Sequence, residues 1–543
     1  MLEWNNFRKP QRYMGNEWNV IKKSHDGRVR ICLCYPNLYE IGMSNVGFRI
    51  IYSCLNSFKD VVCERSFMPD EDLYVYLREY KKKLFSLETK TALSDFEIVG
   101  FNFDYELNFT NFLAMLDASG IPLKSKERKD LIVLGGGVAN PESLCEFVDI
   151  FFLGEFEEKA VSFVDIVRRY KNKEARLKAL SEVEGFYVPS FYDVYRKGRK
   201  YVFEKKYKYA KLPINKVHVK DLDSSFSPVD WLTPYTSIAH DRAQIEIARG
   251  CPNKCFFCQA RSVYFPYRER RPDRVLELAD RIYKKSGYEN ISLLALSASN
   301  YSNIEGLIRD LADYCSERTI GLSLPSLRIE DVVDKLHKYL SRIKKVSATF
   351  AVEAATQRLR SAINKRIDTK KLMEAAKILR SLHSRHIKLY FMYGLPFEVD
   401  EDITAIKGFL EEIIRVSRLK VNVSVNVFIP KPFSHFENIL MNSKEELERR
   451  RRLILNSIPK NRGIKASVAL PYKSMLEAVI SRAGRELSSL IYEAYMLGAR
   501  FDADGERFNK HIWDEAFKRM GFDVNEYLSG ETDNFPWSHI RVI

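Results

Sequence analysis

Cys251, Cys255 and Cys258 stand close together in the stretch "GCPNKCFFCQA". Thiolates are soft ligands that suit zinc and iron–sulfur clusters. Structural zinc takes four closed ligands, usually two cysteine pairs or a cysteine pair with a histidine pair. No fourth cysteine or histidine is near in sequence, and His240 precedes the group by eleven residues. A catalytic zinc on three cysteines is an alternative. A four-iron cubane on three cysteines keeps one iron open to chelate a substrate or cofactor, which fits an enzyme better than an electron carrier. The other cysteines (Cys32, Cys34, Cys54, Cys63, Cys145 and Cys315) lie in apolar or helical stretches and read as small buried hydrophobes.

The elements that must position these thiols are legible as pattern. From about 244 to 430 the candidate strands are "QIEIAR", "ISLLALS", "IGLSLPS", "VSATFAV", "IKLYFMYG" and "VNVSVNVFIP". Basic amphipathic helices such as "RPDRVLELADRIYKK" and "DTKKLMEAAKILRSLH" separate them. Six β/α units predict a partial TIM-type (β/α)6 barrel, since the closed form has eight. The cysteines follow its first strand, at the catalytic face. Ahead of it, from about 28 to 175, "VRICLCYP", "FEIVGFNF", "LIVLGGG" and "DIFFLGE" read as buried parallel strands. The segments "SNVGFRIIYSCL" and "NFTNFLAMLDASG" read as helices between them. Such alternation predicts an α/β, doubly wound Rossmann-like sheet, with ligands at the carboxyl ends of its strands. Candidate loops there are "PNLYEIGMSNVG", "GGGVANPE" and "GEFEE". Gly135, Gly136 and Gly137 either let backbone approach a bound group or turn the chain after a strand.

With 543 residues the chain has room for three or four domains. We divide it into an N-terminal tail (1–24), the doubly wound domain (25–175), a basic aromatic hairpin and connector (176–240), the barrel (241–440) and a mainly helical region (441–543). Charge runs in the last, such as Arg449 to Arg452, read as solvated helix faces. No further domain is expected after it. From Tyr195 to Lys220 there are ten Lys or Arg against one acid, Glu204, with tyrosines and Phe203 interleaved. Cations for phosphates beside rings for bases suit single-stranded nucleic acid. A solvated edge hairpin blocked by lysines is the favoured reading of the same residues. The net charge of +15 adds a weak pointer to an anionic partner such as RNA. No apolar run reaches membrane-span length and no signal core opens the chain, so a cytoplasmic protein is expected.

The spacing Cys251-x3-Cys255-x2-Cys258, with Phe257 before the last cysteine and a β/α barrel around it, resembles the radical S-adenosylmethionine (SAM) enzymes. The resemblance implies a [4Fe-4S] cluster on the three thiolates, with SAM on the fourth iron through its amino and carboxylate groups. An electron from a flavodoxin- or ferredoxin-type reductant, passed through the cluster, would cleave the sulfonium. The resulting 5′-deoxyadenosyl radical would take hydrogen from substrate. It also implies cofactor contacts at Phe257, at Glu353 in "TFAVEAATQRLR", and at Gly394 and Pro396 in "YGLP". Ile429 lies in "VFIPKP", which resembles the adenine-lining segment of methylating and methylthiolating members; Lys431 there reads as a surface lysine. Arg328 in "SLPSLR" would pair with the SAM carboxylate. Many members carry Gly-Gly-Glu after the second strand. This chain has "LALSASNY", so Ser297, Ser299 or backbone carbonyls would substitute.

A doubly wound domain ahead of the barrel resembles the cobalamin-binding class. "DIFFLGEFEE", with Gly154 and Glu155, and the Gly135–Gly137 loop are similar to its recurring segments. The histidine loop that ligates cobalt from below reads "YEIGMSNVG" here, so bound cobalamin would lack that ligand; an empty or repurposed pocket is the alternative. "RYMGNEWN", "PNLYEIGMSNVG", "LSLPSLR", "KLYFMYGLP" and "PWSHIRV" are similar to an uncharacterised family of B12-binding-domain-containing radical SAM proteins. The expected function is reductive SAM cleavage and substrate modification, with methyl transfer to RNA or a ribosome-associated target as first choice. A lipid, tetrapyrrole or other small metabolite is the alternative substrate. A non-enzymatic cluster- or zinc-binding regulator is the alternative of another class.

Overall fold

A strand covered on both faces reads as one apolar run, and "VRICLCY" forms such a strand, Val29–Tyr35 (β1). The computed structural model that shows it describes residues 3–323, 339, 348–382, 384–460, 462–528 and 532–542. β1 pairs with Val61–Phe67 (β2) and Ile98–Asn102 (β3), followed by Ile132–Gly136 (β4), Ile150–Phe152 (β5) and Phe186–Tyr187 (β6). The order is β2-β1-β3-β4-β5-β6, parallel except for the antiparallel edge strand β6. The chain steps from β1 to β2 on one side and returns to β3 on the other. That reversal is the switch point, where a crevice opens outside the strand ends.

Sequence pattern gave no sign of β2. All seven of its residues are buried, yet its centre is Glu64-Arg65-Ser66. Partners distant in sequence satisfy these groups. Arg65 donates to Glu17 at 2.9 Å and to Glu88 at 2.6 Å. Glu64 accepts from Ser86, Thr89 and His25. Glu17 belongs to the segment expected as a tail, and so does Arg12, which pairs with Glu40 and Asp70. These residues pack onto the front sheet, with Phe7 and Tyr13 in its core.

The hairpin forms as expected, Tyr192–Lys197 (β7) against Lys200–Lys205 (β8), turning at Gly198 with φ 62°. It is docked on the C-terminal segment. Tyr201 is buried and donates its hydroxyl to Glu486. The Phe203 ring lies 4.6 Å from that of His539, and Arg196 pairs with Glu526. The short strand Ile214–Asn215 (β9) then pairs with Ile540–Arg541 near the chain's end.

The barrel strands follow. Ala243–Glu246 (β10), a short antiparallel pair Ala248–Arg249 (β11) and Arg268–Glu269 (β12), Asn290–Leu294 (β13) and Gly321–Ser323 (β14) come first. Ala348–Glu353 (β15), His386–Tyr393 (β16), Lys420–Val427 (β17) and Ile464–Val468 (β18) complete the set. β10-β13-β14 and β15-β16-β17-β18 are parallel runs. β18 departs from the mainly helical region expected after 441. Its central residues are exposed, so it has no apolar alternation, and main-chain pairing to β17 alone marks it as a strand.

The connecting helices follow local chemistry. Pro272–Ser286 starts with proline in its first turn, places Lys284 and Lys285 in its last, and stops at Gly287 with φ 68°. Val275, Leu278, Ala279 and Ile282 repeat at helical spacing and are its buried face. One continuous apolar core joins the front sheet, connector, barrel and C-terminal helices. Among the described residues no helix is long and apolar enough to cross a membrane.

Candidate active site at the cysteine loop

The cysteine loop is a lasso. Antiparallel pairing of Arg249 with Arg268 closes its neck. Gly250 turns the chain there with φ 86°, and a side chain at this position would meet Tyr264 O at 2.6 Å and Pro266 O at 2.7 Å. The loop is pinned to the strand ends around it. Phe256 N–H donates to Ile363 O at 3.1 Å, and Phe436 N–H to Phe256 O at 3.1 Å. Gln259 Nε2 donates to Pro432 O at 3.1 Å, and Asn364 Nδ2 to Lys254 O at 2.7 Å. Beneath it Ala354, Leu359, Ile363, Leu395, Phe428 and Phe436 form a small apolar cluster separate from the main core. Phe256 and Phe257 pack against that cluster. The paired aromatics of "CFFC" therefore seat the loop on the ends of β15, β16 and β17.

All three thiols are free and partly exposed, whereas Cys32, Cys34, Cys54, Cys63 and Cys315 are buried as expected; Cys145 is half-buried. Burial pushes the Cys255 and Cys258 thiols up, while the Lys365 ammonium pulls both down. Among the described residues no three His, Cys, Asp or Glu groups converge as they would around one metal ion. A cubane takes each thiolate on a separate iron, so its ligands stand apart around it. Three accessible thiols on one pinned loop fit that group by their chemistry.

The loop after β13, which stands where Gly-Gly-Glu is common, reaches the cysteines. Asn253 Nδ2 lies 3.4 Å from Cys251 Sγ and 3.1 Å from both Ser297 Oγ and Asn300 Oδ1. Ser297 donates to Asn300 at 2.7 Å, so its hydroxyl braces the loop. Ser299 is half-buried two residues on. Asn253 and Asn300 escaped sequence reasoning, because only folding brings the two loops together. Glu353, at the end of β15, is 8% exposed, takes φ 67°, and pairs with Lys365 at 3.6 Å. Burial raises its carboxyl above the ordinary range despite that lysine.

Gly394, after β16, has φ 76° and is buried, and Pro396 is half-buried beside it. Gly394 N–H donates to Glu398 Oε2 at 2.7 Å. Burial pushes that carboxyl up to about 7 against its bond to Arg450. Arg450 belongs to the run read as solvated; it turns inward to Glu398 at 2.6 Å. Ile429 follows β17 and packs on the main core. Arg328 lies outside the described residues. Left-handed backbone at a non-glycine residue costs of order 1–3 kcal/mol and gathers at functional sites. Here Glu353, Asn364, Phe397 and Phe433 all adopt it on loops around the barrel mouth.

The front domain faces this mouth. At its switch point Asp104 accepts from the Tyr35 hydroxyl at 2.5 Å and from Asn45 Nδ2 at 3.1 Å. Asp104 is exposed at the surface, yet the groups packed behind it raise its carboxyl above the ordinary range. Tyr264 of the cysteine loop is 45% exposed, and burial together with the Asp104 charge raises its hydroxyl. The expected cofactor glycines divide. A side chain at Gly135 would meet Phe151 and Phe103, one at Gly137 would meet Asn102, and one at Gly154 would meet the Val217 backbone. Gly136 alone among these has room for a side chain, which would touch only Phe152 O at 3.9 Å. Glu155 is engaged by Arg249 at 2.9 Å and Arg268 at 2.8 Å, both at the neck of the lasso. The Gly154–Glu155 segment is thus a joint between the domains.

Lys431 corrects a second reading. It is no surface lysine; its ammonium sits between Glu106 of the front domain at 2.9 Å and Glu477 at 2.8 Å. Its side chain is 17% exposed. Removing one partner of a buried pair costs about 3–5 kcal/mol. With this residual exposure, Lys431→Met is expected to lose about 2 kcal/mol, read as a lower urea midpoint at unchanged slope.

The fold and the loop together define the site: a β/α barrel whose first strand feeds a three-cysteine lasso. Residues 245–410 match the radical SAM superfamily, and residues 47–189 match the N-terminal family of radical SAM proteins. The chain belongs to the radical SAM superfamily, as a member with a doubly wound front domain, and is a radical SAM enzyme. It is 25% identical over 465 residues to an uncharacterised protein of Methanocaldococcus jannaschii, spanning 85% of this chain and 90% of that one. It is 24% identical over 179 residues to the ribosomal protein uS12 methylthiotransferase RimO of a Thermoanaerobacter species, spanning 31% of this chain and 40% of that one. Its fold is similar to that of the radical SAM methyltransferase TsrM from Kitasatospora setae, solved with cobalamin and a [4Fe-4S] cluster. The TM-score is 0.51 at 12% identity, over 77% of this chain and 75% of that one.

Proposed function

We propose that this enzyme transfers a one-carbon or methylthio group to a ribosome-associated target, with a corrinoid held in the cleft between its domains. The observation that carries the reading is how the two strand-end faces meet: Glu155 after β5 holds Arg249 and Arg268 at the neck of the lasso, and Glu106 after β3 holds Lys431 after β17. Cys251, Cys255 and Cys258 would hold a [4Fe-4S] cluster, which with SAM would supply reductive sulfonium cleavage. The Ser297 loop, Glu353 and the Gly394 turn line the SAM side. The apolar seat under Phe256 and Phe257 keeps water from beneath the lasso. On the front side Gly136, Asn45 and Asp104 would offer backbone and polar edges to a corrinoid. Residues 36–48 contain no histidine, so that loop would offer a corrinoid no imidazole. The fold shared with TsrM and the partial similarity to a ribosomal-protein methylthiotransferase support the choice. The reading implies a cytoplasmic enzyme fed by a flavodoxin- or ferredoxin-type reductant.

The hairpin sharpens the target. Lys197, Lys200, Lys205 and Lys208 are exposed, while Tyr201 and Phe203 are committed to protein contacts. Tyr195 and Tyr207 stay 44% and 45% exposed, so the cations stand beside two open rings that stack on any base. RNA binding is therefore expected to be salt-sensitive and indifferent to sequence, by counterion release. Fluorescence anisotropy with two unrelated RNAs of equal length tests this; no binding at low salt removes the ribosomal target. Anaerobic incubation with hydroxocobalamin, then desalting, tests the cleft. Retained corrinoid absorption supports the reading, and a colourless protein contradicts it.

A further inference from the structure

The short helix Gln357–Ala362 ends in a turn at Asn364, whose φ is 54°. Two bonds tie this turn to the cysteine lasso, Phe256 N–H to Ile363 O and Asn364 Nδ2 to Lys254 O. The next residue is Lys365. Its backbone N–H is fixed on Arg360 O at 2.8 Å. Arg360 is itself 1% exposed and bonded to Ala354 O and Ala355 O at the end of β15. Lys365 Nζ reaches Glu353 Oε1 at 3.6 Å, and the strained Glu353 backbone presents that carboxylate to it. The Lys365 side chain is 24% exposed, so water screens it only in part. The bonds to Lys254 and Phe256 set this turn against the residues on either side of Cys255. A cation and a carboxylate are thus held beside the thiols by backbone that the lasso itself anchors.

We propose that Lys365 sets how readily the iron–sulfur group on Cys251, Cys255 and Cys258 accepts its electron, with Glu353 as the opposing charge. The proposal rests on the cysteines holding a cluster, and it concerns a positioning charge rather than a group that touches the reacting atoms. Reduction adds one negative charge to a site already rich in thiolate. The electron comes from an external one-electron donor, and no bond forms or breaks in this step. In a partly desolvated site the attraction of a fixed ammonium for that charge is several-fold larger than in water. Local charge is one of the levers on the potential of such clusters. Lys365 is the charge the fold places there. No sequence motif marks it, because it follows the lasso by more than a hundred residues.

The test is an anaerobic redox titration of reconstituted wild type, Lys365→Met, Lys365→Arg and Glu353→Gln, followed by the electron paramagnetic resonance of the reduced cluster. Lys365→Met is expected to lower the reduction equilibrium constant about tenfold, which is about 59 mV for a one-electron couple. Lys365→Arg is expected to stay near wild type, and Glu353→Gln to move the equilibrium the other way. A purely structural role cannot give opposite signs at equal cluster content. Cluster loss in Lys365→Met with retention in Lys365→Arg also supports the charge; loss in both overturns it. Equal equilibrium constants in all four proteins overturn the proposal alone. A wild-type protein that assembles no cluster overturns the site reading, and this proposal with it.

Discussion

Replacing Cys251, Cys255 and Cys258 together by alanine is expected to abolish cluster uptake and SAM cleavage while the protein stays folded. The thiols are partly exposed and lie on a loop, outside both apolar cores. Their removal deletes little buried surface, so stability should move by less than about 1 kcal/mol, the range of ordinary surface changes. The seat of the loop is elsewhere, in Phe256 and Phe257 over the ends of three strands. Iron content by chemical assay and the unfolding midpoint by circular dichroism separate the two properties. A variant that loses iron and keeps its midpoint matches the account. One that unfolds would mean the cysteines are structural, as in the zinc-bound regulator.

The largest stability effect is expected from Arg65→Met. The arginine is fully buried on β2, bonded to Glu17 at 2.9 Å and Glu88 at 2.6 Å, with Tyr52 under its guanidinium. Burial alone would raise the Glu17 carboxyl, and Arg65 brings it below the ordinary range. Methionine fills similar space and strands two carboxylates in a dry site. Breaking a buried pair in this way costs about 3–5 kcal/mol, a large share of the roughly 5–15 kcal/mol that holds a domain. Adding Glu17→Gln and Glu88→Gln to the variant should restore much of the loss, because neutral amides tolerate the site better than unpaired charges. Chemical denaturation of the single and triple variants measures both. A single variant within about 1 kcal/mol of wild type would contradict the expected cost.

Arg65 also shows what kind of structure the sequence conceals. β1, β15, β16 and β17 could be read because their residues are apolar in runs or alternation. The cysteine loop could be read because its thiols are neighbours in the chain. β2 hides behind Glu64-Arg65-Ser66, whose partners come from residues 17 to 25 and 86 to 89. β18 hides for the opposite reason, as an exposed edge strand with nothing but main-chain pairing to define it. Lys431 and Glu155 look like surface charges or cofactor groups until folding sets Glu106, Glu477, Arg249 and Arg268 against them. Asn253, Asn300 and Lys365 complete the cysteine site from loops that only the barrel gathers. Periodicity carries information over a few residues. Charge compensation in this protein operates over hundreds, and no local window contains it.

The central claim is that the open position above the cysteine lasso binds SAM for reductive cleavage. The most direct measurement is anaerobic reconstitution with iron and sulfide, then incubation with SAM and dithionite and chromatographic quantification of adenosyl products and methionine. The account predicts cleavage that needs reductant and disappears in the Cys251/Cys255/Cys258→Ala protein. Full iron incorporation with no reductant-dependent loss of SAM, or preferential uptake of zinc in its place, would contradict it.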